Sequence, residues 1–169
     1  MIRMSRYRPP QPKASPYITP AGYQQLQDEL NAIWKHRADV TQALSAAAAE
    51  GDRSENAEYI YRKKELREID RRIRYLQKRL PDLNVVAQLP SDRNRVYFGA
   101  WVSLEDVHGV EHDYRIVGPD ELDPKQGWIS MDSPLARALL KRALDDEVVV
   151  ETPHGTSHYW ITGIRYLPE

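Results

Sequence analysis

The sequence predicts an α+β protein: a long antiparallel helical hairpin, then a small and mostly antiparallel sheet carrying one helix. Two features of the spacing predict this. Apolar side chains recur at alternating three- and four-residue intervals on both sides of the segment GDRSEN at 51–56, which is a coiled-coil period. Beyond Leu80-Pro81 the interval drops to two, the period of strands.

Before the turn the seam positions are Tyr23, Leu26, Leu30, Ile33, Val40, Leu44 and Ala47, with Arg37 in the one gap. After it they are Tyr59, Leu66, Ile69, Ile73, Leu76 and Leu80, with Arg62 in the remaining position. Folding back about the turn sets Leu44 opposite Tyr59, Ile33 opposite Ile69 and Tyr23 opposite Leu80. Each arm, at about 28 residues, would be about 42 Å long at helical rise. Such an arm has no core beyond its seam and needs a globular base. The expected division is a tail at 1–16, a coiled-coil hairpin at 17–81 and a globular domain at 82–169.

The tail contains Pro9, Pro10, Pro12 and Pro16 with Arg3, Arg6, Arg8 and Lys13, a composition too poor in apolar residues to pack. It is expected to be disordered, either a variable terminus or a segment that touches a polyanion. Thr19-Pro20 reads as a helix start, the threonine capping exposed amides and the proline pre-set for the first helical position. The run SAAAA at 45–49 makes the far end of that helix slender. Slenderness suits a narrow channel, and alanine also simply has the best helix propensity.

On the second helix Lys64, Arg67, Arg71, Arg74 and Lys78 form a stripe about 21 Å long, two positions off the seam. Glu68 with Arg72 and Asp70 with Arg74 stand at pairing distance along the helix, which still leaves much positive charge over. Two readings stay open, a solvated charged face and a track for a single-stranded nucleic acid backbone. Arg37 and Arg62 read as register-setting or snorkelling residues.

Pro81 ends the second helix because proline cannot continue the hydrogen-bond ladder. Strands are expected at 96–104, 112–117, 128–131, 148–151 and 158–167, with turns at 107–109, 123–125 and 152–155. Ser133-Pro134 opens a short helix whose Leu135, Leu139 and Ala143 should cover one face of the sheet.

The 169 residues carry a net charge of −1, which conceals an asymmetry. Residues 53–80 hold ten Lys or Arg against five acids, while residues 81–169 hold eight against fifteen. The absence of cysteine excludes disulfides and thiolate metal sites and suits a reducing compartment. With no apolar run of membrane-spanning length, the protein is expected to be cytoplasmic.

At the tip, Asp52 and Glu55 stand three residues apart at an expected helix start. Asp-x-x-Glu serves as a capping box favoured by the helix dipole. It also serves as a carboxylate pair for Mg²⁺, an ion that takes one or two carboxylates and fills its remaining positions with water and phosphate. Such a pair binds weakly alone and needs another macromolecule to complete the site.

The run GDRSENAEYIYRKKELREIDRRIRYLQKRL, followed by FGAWV, RIVG, ISMDSPLARALLK and VVVETPHG, closely resembles the Gre transcript cleavage factors of bacterial RNA polymerase, in their GreB branch. The resemblance runs from Thr19 onward, and only the proline-rich head departs from it. It implies an accessory factor, not itself a nuclease, whose coiled coil enters the secondary channel of a backtracked polymerase. There the tip acids help position the second catalytic Mg²⁺ and a water, and the polymerase cleaves the extruded RNA to leave a new 3′ end. Carried over by position, the acid pair is Asp52 and Glu55, with Arg53, Ser54 and Asn56 as tip neighbours. The second domain is implied to be FKBP-like and to dock at the channel entrance, with Asp132, Ser133 and Pro134 in the docking loop. The branch's basic patch, associated with longer backtracked RNA, matches the Lys64 to Lys78 stripe, and the working state is expected to be a monomer. The alternative is a channel-binding polymerase regulator without cleavage chemistry. Prolyl isomerase activity would rest on fold analogy alone and is not expected.

Overall fold

Thr19 and Pro20 open the first long helix as their chemistry requires. The Thr19 hydroxyl accepts from the Gly22 amide at 3.1 Å, and Pro20 sits in the first turn, where a missing backbone donor costs nothing. Helix α1 runs Pro20–Ala49 and helix α2 returns over Ala57–Arg79. The computed structural model of the protein describes residues 10–51 and 56–167.

The seam packs as the spacing predicts. Near the base, Leu26, Leu76 and Leu80 join Ile18 and Leu83, with Tyr23 and Leu30 against them. Further out, Val40, Ile69 and Ile73 form a second cluster that Leu30, Ile33 and Leu66 adjoin. Tyr23 thus shares a cluster with Leu80, and Ile33 shares one with Ile69. Towards the tip Leu44 and Tyr59 are half-buried and Ala47 is buried.

The ion pairs differ from expectation. Asp70 accepts from Arg37 Nε at 2.7 Å across the hairpin, and Arg72 forks onto Glu29 at 2.6 and 3.0 Å. The expected pairs along α2, Glu68 with Arg72 and Asp70 with Arg74, give way to these. A partner on the facing helix offers a bidentate or half-buried geometry that an exposed neighbour four residues away does not. Arg37 is therefore a register pin, while Arg62 bonds Glu58 and Glu65 on its own helix.

The two ends of the hairpin are tied together below the seam. Strand β1, Tyr17–Ile18, pairs in parallel with β2, Asn84–Val85, which follows a 3-10 turn at Leu80–Asp82. Asn84 N donates to Pro16 O at 2.7 Å and Val86 N to Ile18 O at 2.9 Å. Residues 15 and 16 are therefore anchored, a correction to the expected loose tail. Tails hold only where donors and acceptors meet them, and Ser15 and Pro16 have several.

The second domain is a five-stranded sheet in the order β5-β4-β3-β7-β6, formed by Trp128–Ser130, Glu111–Val117, Trp101–Asp106, Gly155–Arg165 and Glu147–Thr152. All its pairings are antiparallel except β4 with β5. Helix α3, Pro134–Leu139, covers one face. Its Ala136 and Leu139 pack with Val102, Leu104, Ile116, Val148, Val150 and Ile161 in the main core.

Two local expectations are corrected here. The strand expected at 96–104 begins only at Trp101, because a turn at 97–100 points Gly99 N at Ile116 O and diverts Val96 to bond Lys141 and Arg142. Helix α3 ends at Leu139, so Ala143 lies outside it and bridges Arg95 instead.

The uncovered face of the sheet carries one continuous row. Trp128 pairs with Arg115, Arg115 with Trp101, and Trp101 with Arg165, each across a strand boundary. Arg115 lies 5.5 Å from the Trp128 ring centroid and Arg165 5.1 Å from that of Trp101. Stacked guanidiniums cover the indole faces that the sheet would otherwise expose. No helix among the described residues is long and apolar enough to cross a membrane.

Candidate functional site

Among the described residues, one side chain joins the two helices at the distal end of the hairpin. Asn56 caps α2, its Oδ1 accepting from Tyr59 N at 3.1 Å, while its Nδ2 donates to Ala47 O of α1 at 2.7 Å. One amide thus satisfies orphan groups on both helix ends and fixes how far apart they stand. Gly51 leaves α1 with φ of 138°, a conformation that side chains disfavour. Asp52, Arg53, Ser54 and Glu55 lie outside the described residues. The capping box read at Asp52 and Glu55 lies outside them too, and the cap of the helix that starts at Ala57 is Asn56.

Lys64, Arg67, Arg71, Arg74 and Lys78 are all exposed along α2. None of them takes an ion pair or side-chain hydrogen bond among the described residues, in contrast to Arg37, Arg62, Arg72 and Arg79. Those arginines are spent on the hairpin and on its joint to the sheet domain, and the stripe keeps its charge for something outside them.

At the base, hairpin and sheet domain are joined by buried carboxylates. Arg79 Nε donates to Asp120 Oδ2 at 2.8 Å, and the Tyr75 hydroxyl bonds the other oxygen. Burial, then that hydrogen bond to Asp120, pushes the Tyr75 phenol up. Glu121, buried, accepts from Thr19 N at 3.0 Å, Thr19 Oγ1 at 2.7 Å and Gly118 N at 2.9 Å. The first turn of α1 approaches so closely that a Cβ on Gly22 would lie 1.8 Å from Glu121 Oε2.

Asp132, Ser133 and Pro134 stand together at the start of α3. Ser133 Oγ caps the helix by accepting from Ala136 N at 3.2 Å, and Pro134 occupies its first turn. The Asp132 carboxylate accepts from the Ser15 amide at 2.9 Å and from the Ser15 hydroxyl. Burial alone would push its pKa up, but those two bonds, with Arg137 and Arg79 nearby, outweigh burial and hold it below the usual carboxylate range. Arg79 Nη2 in turn donates to Ser15 O at 2.6 Å. The DSP segment is thereby connected to the foot of α2, where the stripe ends at Lys78 and from which its other residues run along the hairpin.

Sequence reasoning missed Arg79, Asp120, Glu121 and Ser15. The one signal for them was Gly22, a glycine inside a helix start, which marks close backbone approach.

Family models match both parts of the chain. "Transcription elongation factor, N-terminal" matches residues 16–85, and "Transcription elongation factor, GreA/GreB, C-term" matches residues 90–166. The chain is 59% identical to transcription elongation factor GreB of Pseudomonas aeruginosa over 166 residues, covering 98% of this chain and 99% of that protein. It is 56% identical to GreB of Xanthomonas axonopodis pv. citri, covering 96% and 98%. Among solved structures, GreA factor homolog 1 of Thermus thermophilus aligns at 24% identity over 88% of this chain and 97% of that one, with a TM-score of 0.41. On both domain matches and on identity over nearly its whole length, the chain belongs to the GreA/GreB family of transcription elongation factors.

Proposed function

We propose that this elongation factor stimulates the RNA polymerase's own cleavage of backtracked RNA, carrying Asp52 and Glu55 to the polymerase active site on the end of its hairpin. The observation that supports this most is Asn56 bridging the two helix ends. Its amide holds the two helix ends at a set separation, and the run of small residues at 45–49 keeps the arm slender behind them.

Two carboxylates are a suitable donor set for Mg²⁺ and too few to complete its octahedral shell, so the remaining positions fall to polymerase groups, water and RNA phosphate. Held there, the ion would stabilise charge on the attacking or leaving oxygen. The chain's own residues do the rest of the work. Asp52 and Glu55 supply negative charge, Asn56 sets the separation of the helix ends, and the seam stiffens the arm.

The exposed stripe at Lys64, Arg67, Arg71, Arg74 and Lys78 fits the extruded RNA 3′ segment, whose phosphates need cations at intervals. The segment at Asp132, Ser133 and Pro134 would dock outside the secondary channel. Because the Asp132 carboxylate is engaged by Ser15, the groups left for polymerase there are backbone and the Pro134 ring. Acting on polymerase places the factor in the cytoplasm, as a monomer when docked.

The test is RNA cleavage in a purified, backtracked polymerase complex with Mg²⁺, with and without the protein. Faster shortening of the RNA supports the proposal. Binding that competes for the secondary channel without faster shortening would make the protein a regulator of another kind.

A further inference from the structure

The cations of the α2 stripe stop at Lys64, and apolar surface takes over towards the tip. The four-three spacing that runs through Lys78, Arg74, Arg71, Arg67 and Lys64 lands next on Ile60. Tyr61 stands beside it, three residues from Lys64 and so its neighbour on the helix surface. Ile60 is 54% exposed and Tyr61 60%. Apart from Ala57, Tyr75 and Gln77, the other exposed side chains of α2 are charged. Neither Ile60 nor Tyr61 joins the hydrophobic clusters of the seam, so packing gives no account of two large apolar side chains side by side on a charged surface.

Tyr61 is also held in place. Arg62, tied through Nε to Glu58 at 2.9 Å and through Nη1 to Glu65 at 3.0 Å, sets its guanidinium 5.5 Å from the Tyr61 ring centroid. A cation on one face of a ring leaves the opposite face for one flat partner. Tyr75, at the same helical position two heptads nearer the foot, has Arg72 5.3 Å from its ring centroid, but its hydroxyl is bonded to Asp120 and so serves the joint. The Tyr61 hydroxyl makes no hydrogen bond among the described residues.

We infer that Ile60 and Tyr61 form a stacking shelf for a nucleobase of single-stranded RNA whose phosphates lie along Lys64 and Arg67. The inference rests on the reading of the stripe as an RNA track. Two features favour a nucleobase over a protein side chain as the occupant. Lys64 and Arg67 take no ion pair among the described residues, so the occupant that suits the place brings negative charge as well as a flat apolar face, and a nucleotide carries both in one unit. The shelf also lies between the stripe and the Asn56 cap, so an RNA that follows the stripe towards the tip meets it where the cations end. Every base has a π-face, so the shelf accepts any of the four. Tyr61 is a positioning residue that fixes the register of the RNA on the arm.

The experiment compares the full-length chain with Tyr61→Ala and Tyr61→Phe, changes at an exposed position that leave the seam and the sheet core untouched. Fluorescence anisotropy with a labelled single-stranded RNA is read across a salt series. Tyr61→Ala should bind about five- to tenfold more weakly at every salt concentration, with the parent's salt slope, because stacking releases no counterions. Tyr61→Phe keeps the ring and should bind as the parent does. In backtracked polymerase complexes held without Mg²⁺, a fluorescent purine analogue that stacking quenches is placed at successive positions near the RNA 3′ end. The parent and Tyr61→Phe should quench it at one position and Tyr61→Ala at none.

Parent-like RNA binding by Tyr61→Ala, or a loss that lowers the salt slope, would overturn the inference, the second result marking a lost phosphate contact. Weaker competition for the secondary channel with unchanged quenching would overturn it too, marking a contact with polymerase protein instead. A parallel variant, Lys64→Gln/Arg67→Gln/Arg71→Gln, should lower the slope by about 0.7 for each lost contact and keeps the two ideas apart. If it lowers the slope while Tyr61→Ala binds as the parent does, the shelf alone fails. If Tyr61→Ala weakens binding and the triple variant does not, the stripe reading fails and the shelf stands.

Discussion

Arg79, at the foot of the hairpin, and Asp120, on the loop after β4, form an ion pair of 2.8 Å with side chains only 15% and 8% exposed. Because Arg79 also holds Ser15 and Asp120 also holds Tyr75, the pair is the hub that sets the angle of arm to base. Replacing Asp120 with alanine leaves a half-satisfied guanidinium and should cost about 2 kcal/mol in urea unfolding. The chain has no cysteine, so paired spin labels at positions 49 and 149 can be introduced cleanly. The distance between them should be narrowly distributed in the parent and broad in Asp120→Ala.

A second prediction concerns Gly22. A methyl group there must displace the Glu121 carboxylate, breaking its bonds to Thr19. Gly22→Ala should destabilise the protein by about 2 to 3 kcal/mol. Glu121→Ala in the same chain should add much less than it does alone, because both changes remove the same interaction. Additive losses in a double-mutant cycle would contradict this.

The seam supports a third. Leu76 is fully buried between the foot of α1 and β1, and Leu76→Ala should cost about 3 kcal/mol through lost burial and the cavity left behind. Arg72→Ala, whose Glu29 pair is about 40% exposed on both sides, should cost well under about 1 kcal/mol in the same unfolding measurement.

Asp106 gives a pH dependence of known sign. Its hydrogen bond with His112, then those from the Val110 and His108 amides, hold the carboxyl down to about 2. A depressed carboxylate pKa contributes stability that is present above the unfolded value of about 3.9 and is lost as pH falls towards the folded value. The stability difference between parent and Asp106→Asn should therefore be steady from pH 7 to about 4.5 and shrink between about 4 and 2. Thermal melts across that range read it directly.

Charge reversal of the stripe tests its role. Lys64→Glu/Arg67→Glu/Arg71→Glu should weaken cleavage most on deeply backtracked complexes, by about tenfold or more, with reduced salt dependence. A loss equal on shallow and deep complexes would indicate a docking defect.

Much of this architecture was legible in residue spacing, since helices of alternating three-four period have few ways to bury Leu26, Ile73 and Leu76 other than against each other. Thr19-Pro20 and Ser133-Pro134 placed two helix starts because capping and proline geometry are local. The tip was less legible. Spacing pointed to Asp-x-x-Glu as a cap, and the cap described on α2 is Asn56, whose amide serves both helices at once. Charge pairing failed for a similar reason. Counting four residues along α2 cannot know that Arg37 and Glu29 face Asp70 and Arg72 from the other arm. The joint between the domains was invisible, for Asp120 and Glu121 meet Arg79 and Thr19 from 41 and 102 residues away.

The most direct measurement compares the parent with Asp52→Ala/Glu55→Ala in a purified backtracked polymerase complex containing Mg²⁺, scoring both RNA cleavage and competition for the secondary channel. The proposed mechanism predicts that the variant competes as well as the parent and loses stimulation by about a hundredfold or more, as expected when charge stabilisation at a reacting oxygen is removed. A variant that stimulates cleavage as well as the parent would contradict it.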